Sequence, residues 1–441
     1  MNVYLHLGKY LWGHIAPLLV QDGVWTRYIW ERHALAGAHP GHEEHLRRLG
    51  KHSYRGIAPE LYERLHPLLY QFMSMYARNN RVNQFGYSLK TIHDFLDIFN
   101  IQVNFYATTF ADENIDLVLF NRAPHTGADF VAYNVARLLG IKTLILQKNG
   151  NFPGRFFHVF EHEDYGLFRT SKVLEEPRPW PIERRFEKDL PYMRSFYKKK
   201  GLRDRLRKWP IYSLAAKTWH RGNFGEAVFQ YFQDRQFQYW RKELTETSVD
   251  TGGDFVYFPL HFQPEQNTTA WGGIYDDQLL AIEQLSQKLP EGWRILVKEN
   301  PQQPGFMRGK WFYERLNGIS NAELVSTEAD TYELLRKSRF AATVTGTVGW
   351  ESITGGKPVL VFGPGCWYRT LPGVVFFTPD FRVEDVLEAQ IDHAELERAA
   401  GELVARCGRG EIFKRIGHPN PHLESAENHR LIADSIGRML A

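Results

Sequence analysis

Cysteine and long apolar runs are scarce in this 441-residue sequence, and each shortage excludes a class of protein. The two cysteines, Cys366 and Cys407, are too few for a disulfide scaffold or a cysteine-based zinc site, and they fit a reducing compartment. No apolar run reaches the roughly 18 residues that a membrane-spanning helix needs. Residues 1–20 lack the layout of a signal peptide, because histidine and lysine interrupt the apolar stretch. We therefore expect a cytoplasmic protein.

Charge of one sign is not in excess either. The formal net charge is only +3, which argues against a general nucleic-acid binder. The exception is residues 184–208, which hold eleven Lys and Arg against three acidic residues. This basic stretch is either a solvated helix or linker, or a patch that lies on an anionic membrane surface or an anionic glycan. The second interpretation predicts peripheral contact with the inner face of the cytoplasmic membrane.

The motifs of several enzyme classes are missing. The sequence has no Walker-type loop, no kinase motif set, no HExxH and no GxGxxG, which argues against ATPase, kinase and NAD chemistry. It also has no Asp-x-Asp, which disfavours a metal-dependent sugar transferase of the single-domain type. We expect neither a metal site nor a bound cofactor.

Aromatic residues are abundant, at 14% of the chain, and include 12 Trp and 21 Tyr. They suit a core or domain interface, and they equally suit a carbohydrate surface on which flat rings stack. Hydrophobic residues at 43% and charged residues at 24% are typical of a soluble globular protein. A chain of this length is too long for one ordinary core, so two domains are expected.

Predicted strands and helices alternate in both halves of the sequence. Residues 115–121 and 141–147 predict buried strands on either side of a helix over 126–140, which indicates a parallel βαβ unit. Further strands are predicted at 254–262, 293–301, 321–327, 340–346, 357–363 and 374–379. Further helices are predicted at 59–79, 88–100, 274–290, 329–338, 347–356, 391–407 and 424–441.

The strand pattern is interrupted between about 165 and 250, where charged, aromatic helical stretches and a proline cluster replace it. The predicted domains are therefore an N-terminal α/β domain over 1–165, a helical, basic linker or insertion over 166–250, and a C-terminal α/β domain with a helical tail over 251–441. The expected fold is two doubly wound, Rossmann-like domains that face a central cleft. Such folds bind ligands at the carboxyl ends of their strands.

Polar clusters follow four of the predicted strands: NRAPHTGAD (121–129), HFQPEQNTT (261–269), KENPQQ (298–303) and TGTVGWE (345–351). In the last cluster, Thr345, Gly346 and Thr347 lie at the start of a helix, where backbone N–H groups and the helix dipole favour a phosphate. Glu351 lies one turn further, and a carboxylate there can accept hydrogen bonds from two ribose hydroxyls. The alternative for Glu351 is an exposed helix residue.

The other three clusters supply further candidates. Lys298 can neutralise phosphate charge, although a surface lysine before a proline turn is common; Asn300 follows it. The donor-pocket candidates are Gln263, Pro264 and Glu265. The candidates for acid, base or nucleophile are His125, Asp129 and Glu161, with Asp129 alternatively a first-turn helix acid.

Three of these segments resemble the capsular polysaccharide biosynthesis family, which includes the ketodeoxyoctonate (Kdo) transferases of capsule and O-antigen assembly. The segments are FPLHFQPEQNT, VKENPQQ and TVTGTVGWESITGGKPVLVFG. Gln263-Pro264 matches the Gln-Pro element of the family, and Thr345, Gly346, Glu351 and Lys357-Pro358 match its most specific element. Asn300 stands where the Lys-x-His-Pro element has histidine, and an amide cannot exchange a proton as histidine does.

The resemblance implies a metal-independent GT-B glycosyltransferase. Its donor would be a nucleotide sugar, CMP-Kdo or a related ulosonic or nonulosonic acid, held by residues 251–441. Its acceptor would be a capsule, O-antigen or lipopolysaccharide glycan, or its lipid-linked precursor, on the side of residues 1–165. Two alternatives stay open: a UDP-sugar or CDP-alcohol transferase of the same fold, and a non-catalytic glycan-binding subunit of a capsule-assembly complex.

Overall fold

The computed structural model describes residues 1–6, 9–30, 58–82, 92–186, 224–245, 249–263, 265–303, 308–413 and 421–441. Pro264 and most of the basic stretch, residues 187–208, lie outside the described residues. The chain divides into two compact units. The first unit comprises Met1–Asp164, Phe168–Arg178 and Glu402–Ala441, and the second comprises Tyr165–Leu167 and Pro179–Gly401.

The first unit contains a six-stranded sheet in the order β12-β5-β4-β3-β1-β2. Its strands are β1 (Asn2–His6), β2 (Arg27–Trp30), β3 (Leu117–Phe120), β4 (Lys142–Lys148), β5 (Arg155–Val159) and β12 (Gly408–Arg409). Strands β1 to β4 pair in parallel, whereas β5 and β12 are antiparallel to their neighbours. All four residues of β3 are buried, as expected for a strand covered on both faces.

Helices cover this first sheet and close its core. They are α1 (Lys9–Gln21), α2 (Pro59–Leu65), α3 (Leu69–Val82), α4 (Ile92–Asp112), α5 (Ala128–Leu138) and α13 (Ala426–Leu440). One buried cluster joins Leu5 of β1 and Trp12 of α1 to Ile432 and Ile436 of α13. The last helix therefore supplies part of the core that the first strand begins.

The second unit contains a fully parallel six-stranded sheet in the order β11-β10-β9-β6-β7-β8. Its strands are β6 (Phe255–Pro259), β7 (Arg294–Lys298), β8 (Ala322–Val325), β9 (Phe340–Thr343), β10 (Val359–Val361) and β11 (Val374–Phe376). Strands β7 and β8 lie on one side of β6, and β9, β10 and β11 lie on the other. This is the strand order of a Rossmann fold.

The helices of the second unit are α6 (Phe224–Glu243), α7 (Gln278–Ser286), α8 (Lys310–Asn317), α9 (Thr331–Lys337), α10 (Thr347–Thr354), α11 (Val383–Leu387) and α12 (His393–Ala405). Buried residues of the central strands, such as Val256, Ile295 and Phe340, form its core with helix residues such as Leu285. Both units are thus mixed α/β with a parallel-rich sheet, which confirms the expectation of two Rossmann-like domains.

Within the predicted insertion, 166–250, the described residues include the helix α6, whereas the described residues 168–186 contain no helix or strand. The C-terminal tail is grouped differently from the expected domain boundaries. Residues 251–441 were expected to form one domain, whereas Glu402–Ala441 belongs to the first unit. The physical reason is that β12 pairs with β5 and α13 buries its apolar face in the first core. Within the described ranges, no helix is both long enough and apolar enough to cross a bilayer.

Candidate functional site

The strand order of the second unit reverses between β6 and β9, which are neighbours in the sheet but lie on opposite sides of the switch. In open α/β sheets the ligand crevice lies beyond the carboxyl ends of the strands at this switch point. The segments that leave β6 and β9 there carry His261 and the predicted residues Thr345 and Gly346. The topology therefore directs attention to two of the four polar clusters of the sequence.

The turn between β9 and α10 is built around Gly346. This residue caps α10 in an extended conformation, with φ −75° and ψ 158°, and no side chain caps the helix. The N–H of Gly346 donates to Thr343 Oγ1 at 3.1 Å, and the hydroxyl of Tyr368 donates to the carbonyl of Gly346. A Cβ atom at position 346 would lie 2.7 Å from Thr343 Oγ1, so a larger residue would have to displace this hydroxyl. Such a helix start favours an anionic group.

The predicted residues around this turn differ in exposure. The hydroxyl of Thr345 donates to the carbonyl of Asn267 at 2.6 Å and is buried. Thr347, the first residue of α10, is exposed. Glu351 is only 3% exposed and lies four residues after Thr347, which places both on the same face of the helix. The turn thus combines an uncapped helix start with a buried carboxylate one turn away.

His261 connects the segment after β6 to this turn. Its Nε2 lies 3.0 Å from Thr343 Oγ1, and the N–H of Thr345 donates to Nε2 at 3.4 Å. Its backbone N–H donates to Gln278 Oε1 at 2.6 Å. Burial, and next the charge of Arg308, lower the pKa of His261 to about 4, so the ring is neutral at physiological pH.

Lys298, at the end of β7, is directed toward α9. Its ammonium group donates to the carbonyl of Ala329 at 2.6 Å and to Thr331 Oγ1 at 2.7 Å. Burial lowers the pKa of Lys298 to about 8, partly offset by the charge of Asp330. The predicted Asn300 closes a local turn, in which its side-chain oxygen accepts the N–H of Gln302 at 2.9 Å.

A buried ion pair follows β7, and the sequence interpretation missed it. Arg308 Nη1 donates to both oxygens of Glu299, at 2.6 and 2.7 Å, and the hydroxyl of Tyr313 donates to Glu299 Oε2 at 2.7 Å. The side chains of Arg308 and Glu299 are 2% and 0% exposed. A charged residue directly after an apolar strand was the available signal for Glu299; no sequence pattern marked Arg308.

The side chain of Gln263 is held by the protein on several sides. Its Oε1 accepts from Arg308 Nη2 at 2.9 Å and from Gln278 Nε2 at 2.6 Å, and its Nε2 donates to the carbonyl of Asp276. Its backbone N–H donates to Gln303 Oε1 at 2.8 Å. The carboxamide of Gln263 therefore links the segment after β6 to the segment after β7, and so orders the carboxyl edge of the sheet.

Glu265 begins a short π-helix, Gln266–Ala270. Its backbone carbonyl accepts the N–H groups of Thr268 and Thr269, at 3.1 and 2.8 Å. Glu265 is therefore placed close in sequence and structure to Asn267, whose carbonyl binds Thr345. This connects the segment after β6 to the β9–α10 turn a second time.

In the first unit, His125 and Asp129 lie together after β3. The carboxylate of Asp129 accepts the backbone N–H groups of His125, Thr126 and Phe130, at 3.0, 2.6 and 2.8 Å. His125 Nδ1 lies 2.6 Å from the carbonyl of Ala123, which can only accept a hydrogen bond. Nδ1 therefore carries the proton in the neutral ring, and Nε2 is the basic atom.

Glu161 is not part of that pair. It lies beyond β5 and binds Arg137, in the last turn of α5, at 2.7 Å, with both side chains about two-fifths exposed. His125 and Asp129 flank the opposite, amino-terminal end of α5. Nearby, Tyr133 donates to Glu163 at 2.7 Å. The structure thus brings two of the three predicted catalytic residues together and separates the third from them.

Residues 200–375 match the family model described as "Capsule polysaccharide biosynthesis protein". The match covers less than half of the 441 residues, and it spans β6 to β10 with the β9–α10 turn. The resemblance to this family is thereby confirmed over that range. No curated protein is similar enough in sequence to be a match.

Among solved structures, this chain is similar to Thermosulfurimonas dismutans KpsC, a beta Kdo 2,7 transferase. The identity is 11% and the TM-score is 0.33, and the match covers 67% of this chain and 79% of that chain. UDP-GlcNAc 2-epimerase from Neisseria meningitidis has 12% identity and TM-score 0.24, covering 92% and 98%. A glycosyltransferase from Rickettsia africae has 10% identity and TM-score 0.26, covering 100% and 97%. Likeness at these low TM-scores says nothing about function.

Proposed function

We propose that the protein is a GT-B glycosyltransferase of bacterial surface-polysaccharide biosynthesis. It transfers a sugar from a nucleotide-activated donor to a capsule, O-antigen or related glycan. The proposed donor is CMP-Kdo or a related ulosonic or nonulosonic acid. One observation carries the proposal: the matched family region contains the uncapped start of α10, with a buried Glu351 one turn away, at the Rossmann switch point.

The proposed donor grip follows from charge. The backbone N–H groups in the first turn of α10, which follows Gly346 and begins at Thr347, hold the donor phosphate. They do so because the positive end of the helix dipole lies there. Glu351 accepts hydrogen bonds from the ribose hydroxyls, and each such bond is strengthened by the carboxylate charge. Lys298 acts through α9 in this proposal, since its ammonium group already donates to Ala329 and Thr331.

The proposed base is His125. The carbonyl of Ala123 holds the proton on Nδ1 and leaves Nε2 as the atom that can take a proton from an acceptor hydroxyl. Asp129 orders the loop around His125 by accepting three backbone N–H bonds, and it positions the ring in this proposal. The departing phosphate would be stabilised by the start of α10, as preorganised donors stabilise developing charge.

Nucleotide binding tests the proposal directly. Isothermal titration of the purified chain with CMP, CDP, UDP and GDP gives the dissociation constants, and a thermal-shift series checks them, because a ligand that binds only the folded state raises its stability. We expect CMP to bind most tightly. Preference for UDP would replace the proposed donor class, and a chain that binds none of the four would instead fit a non-catalytic glycan-binding subunit.

The matched variants are Glu351→Gln and Glu384→Gln. The first keeps the shape of the side chain but removes the charge, and we expect CMP affinity to fall about tenfold, the equivalent of about 1.4 kcal/mol. The second changes an exposed glutamate in α11 and should leave affinity unchanged. Equal affinity for both variants and the wild type would remove Glu351 from the donor site.

A further inference from the structure

His261 is held from two sides, and it joins two segments of the second unit. On the backbone side, its carbonyl accepts from Gln278 Nε2 and from Arg308 Nη2, each at 3.2 Å, and its N–H donates to Gln278 Oε1 at 2.6 Å. On the ring side, Nε2 faces Thr343 and Thr345 of the β9–α10 turn. The backbone of His261 is therefore fixed by side chains, and its ring reaches across to the turn.

The contacts of the ring define its tautomer. The backbone N–H of Thr345 can only donate, so the Nε2 atom that it faces must be unprotonated. The neutral ring then carries its proton on Nδ1. The Thr343 hydroxyl can likewise donate to Nε2, and its oxygen accepts the N–H of Gly346 at 3.1 Å. A relay of hydrogen bonds thus runs from Gly346 through Thr343 to His261.

The ring also fixes the turn by shape. A Cβ atom at position 346 would lie 2.9 Å from His261 Cε1 and 3.2 Å from Nε2. Glycine at 346 and histidine at 261 are therefore complementary in volume as well as in hydrogen bonding. Burial lowers the pKa of His261, and the guanidinium of Arg308, which binds the His261 carbonyl, lowers it further, so a second proton on the ring is disfavoured.

We propose that His261 is the positioning residue of the nucleotide site, and that its unprotonated Nε2 sets the conformation of the Thr343–Gly346 turn and so presents the start of α10 to the donor phosphate. This inference rests on the proposed function, because it assumes that the start of α10 binds a nucleotide. It assigns His261 no contact with the donor. The residue acts through Thr343, Thr345 and Gly346.

The test compares CMP binding by the wild type, His261→Leu, His261→Gln and the control His158→Leu. Leucine removes the acceptor, and we expect about tenfold weaker binding, because buried donors lose their partner. Glutamine can place a carbonyl oxygen near the position of Nε2 and should recover most of the affinity. His158 is also buried and accepts a backbone N–H, from Lys172 at 3.2 Å, but it lies in the first unit. Its variant should bind CMP as the wild type does.

The possible results separate the inference from the proposed function. If the wild type binds CMP and His261→Leu binds it equally well, the inference is overturned and the proposed function stands. If the wild type binds no nucleotide, both are overturned. If His261→Leu does not fold, ¹⁵N-histidine NMR of the wild type decides, with the signals of His261 assigned from their loss in His261→Gln. A protonated Nε2 at neutral pH overturns the inference, and an unprotonated Nε2 together with recovered binding in His261→Gln supports it.

Discussion

Lys298 and Lys357 hold opposite ends of the same helix, α9. Lys298 donates to Ala329 and Thr331 where the helix begins, and Lys357 donates to the carbonyls of Arg336 and Ser338 where it ends. Both lysines lie in segments that resemble the capsular polysaccharide biosynthesis family. These contacts give them an architectural role, in which the buried Lys298 and the half-buried Lys357 fix the helix between β8 and β9.

This arrangement predicts an unusual pH dependence of stability. Burial lowers the pKa of each lysine to about 8, below the value of 10.5 for an exposed lysine. Between these values the unfolded chain binds more protons than the folded one, so the free energy of unfolding rises with pH. We expect the advantage of the wild type over Lys298→Met to grow from about pH 8 to about pH 10.

Urea unfolding at several pH values measures this difference. The control is Lys288→Met, which removes an exposed lysine from the same unit. The difference in free energy of unfolding between Lys288→Met and the wild type should stay constant over the same pH range. A constant difference for Lys298→Met as well would show that the ammonium group of Lys298 titrates like an exposed lysine.

The buried pair of Glu299 and Arg308 predicts a large loss of stability when one partner is removed. Among the described residues, Arg308→Met leaves the buried carboxylate of Glu299 with the Tyr313 hydroxyl and the backbone N–H of Asn300 as donors, and we expect the free energy of unfolding to fall by about 3–5 kcal/mol. The exposed pair of Arg315 and Glu283 is the control. Arg315→Met should cost less than about 1 kcal/mol. Similar losses in urea unfolding for both variants would contradict the burial argument.

Two helical glycines should respond in opposite directions to alanine. A Cβ atom at Gly349 would lie 2.2 Å from the hydroxyl oxygen of Tyr368, so Gly349→Ala displaces this ring from the Gly346 carbonyl. We expect a loss of about 1–3 kcal/mol in the free energy of unfolding. At Gly13, in α1, no atom of the described residues outside its own helix backbone and chain neighbours lies within 4 Å of such a Cβ. Gly13→Ala should stabilise the protein by up to about 1 kcal/mol.

The assignment of the base predicts a clear contrast between His125 and Glu161. His125→Gln removes the basic Nε2 and should lower kcat by at least about a hundredfold, with little change in nucleotide affinity. Glu161→Gln breaks a half-exposed ion pair with Arg137 and should leave kcat unchanged. The measurement is release of the nucleotide from the donor in the presence of an acceptor glycan. A large loss of kcat in Glu161→Gln, without one in His125→Gln, would assign the role of base to Glu161 instead.

The strands of the second unit could be predicted closely from sequence because they are buried on both faces. The run predicted at 293–301 contains β7, Arg294–Lys298, and the run at 340–346 contains β9, Phe340–Thr343. Continuous apolar residues bounded by polar turns mark such strands clearly. In contrast, β2 of the first unit, Arg27–Trp30, has no buried residue, and no pattern predicts it.

The sequence also predicts where the polar clusters lie, but it does not predict the hydrogen-bond partners of their side chains. Gly346 does start a helix at a strand end, as expected, because local spacing determines helix starts. The contacts of Lys298 with Ala329 and Thr331 depend on how β7 and β8 pair, which no local pattern encodes. Arg308 and His261 were missed for the same reason, since their roles arise only from residues distant in sequence.

The return of the chain to the first unit through β12 and α13 has a consequence for biosynthesis. All residues of the second unit emerge from the ribosome before α13 does, so that unit can complete its core while translation continues. Leu5 and Trp12 become covered by Ile432 and Ile436 only after the last helix has been synthesised. The nascent first unit therefore keeps part of its apolar surface uncovered for most of synthesis, a period during which chaperones can bind it.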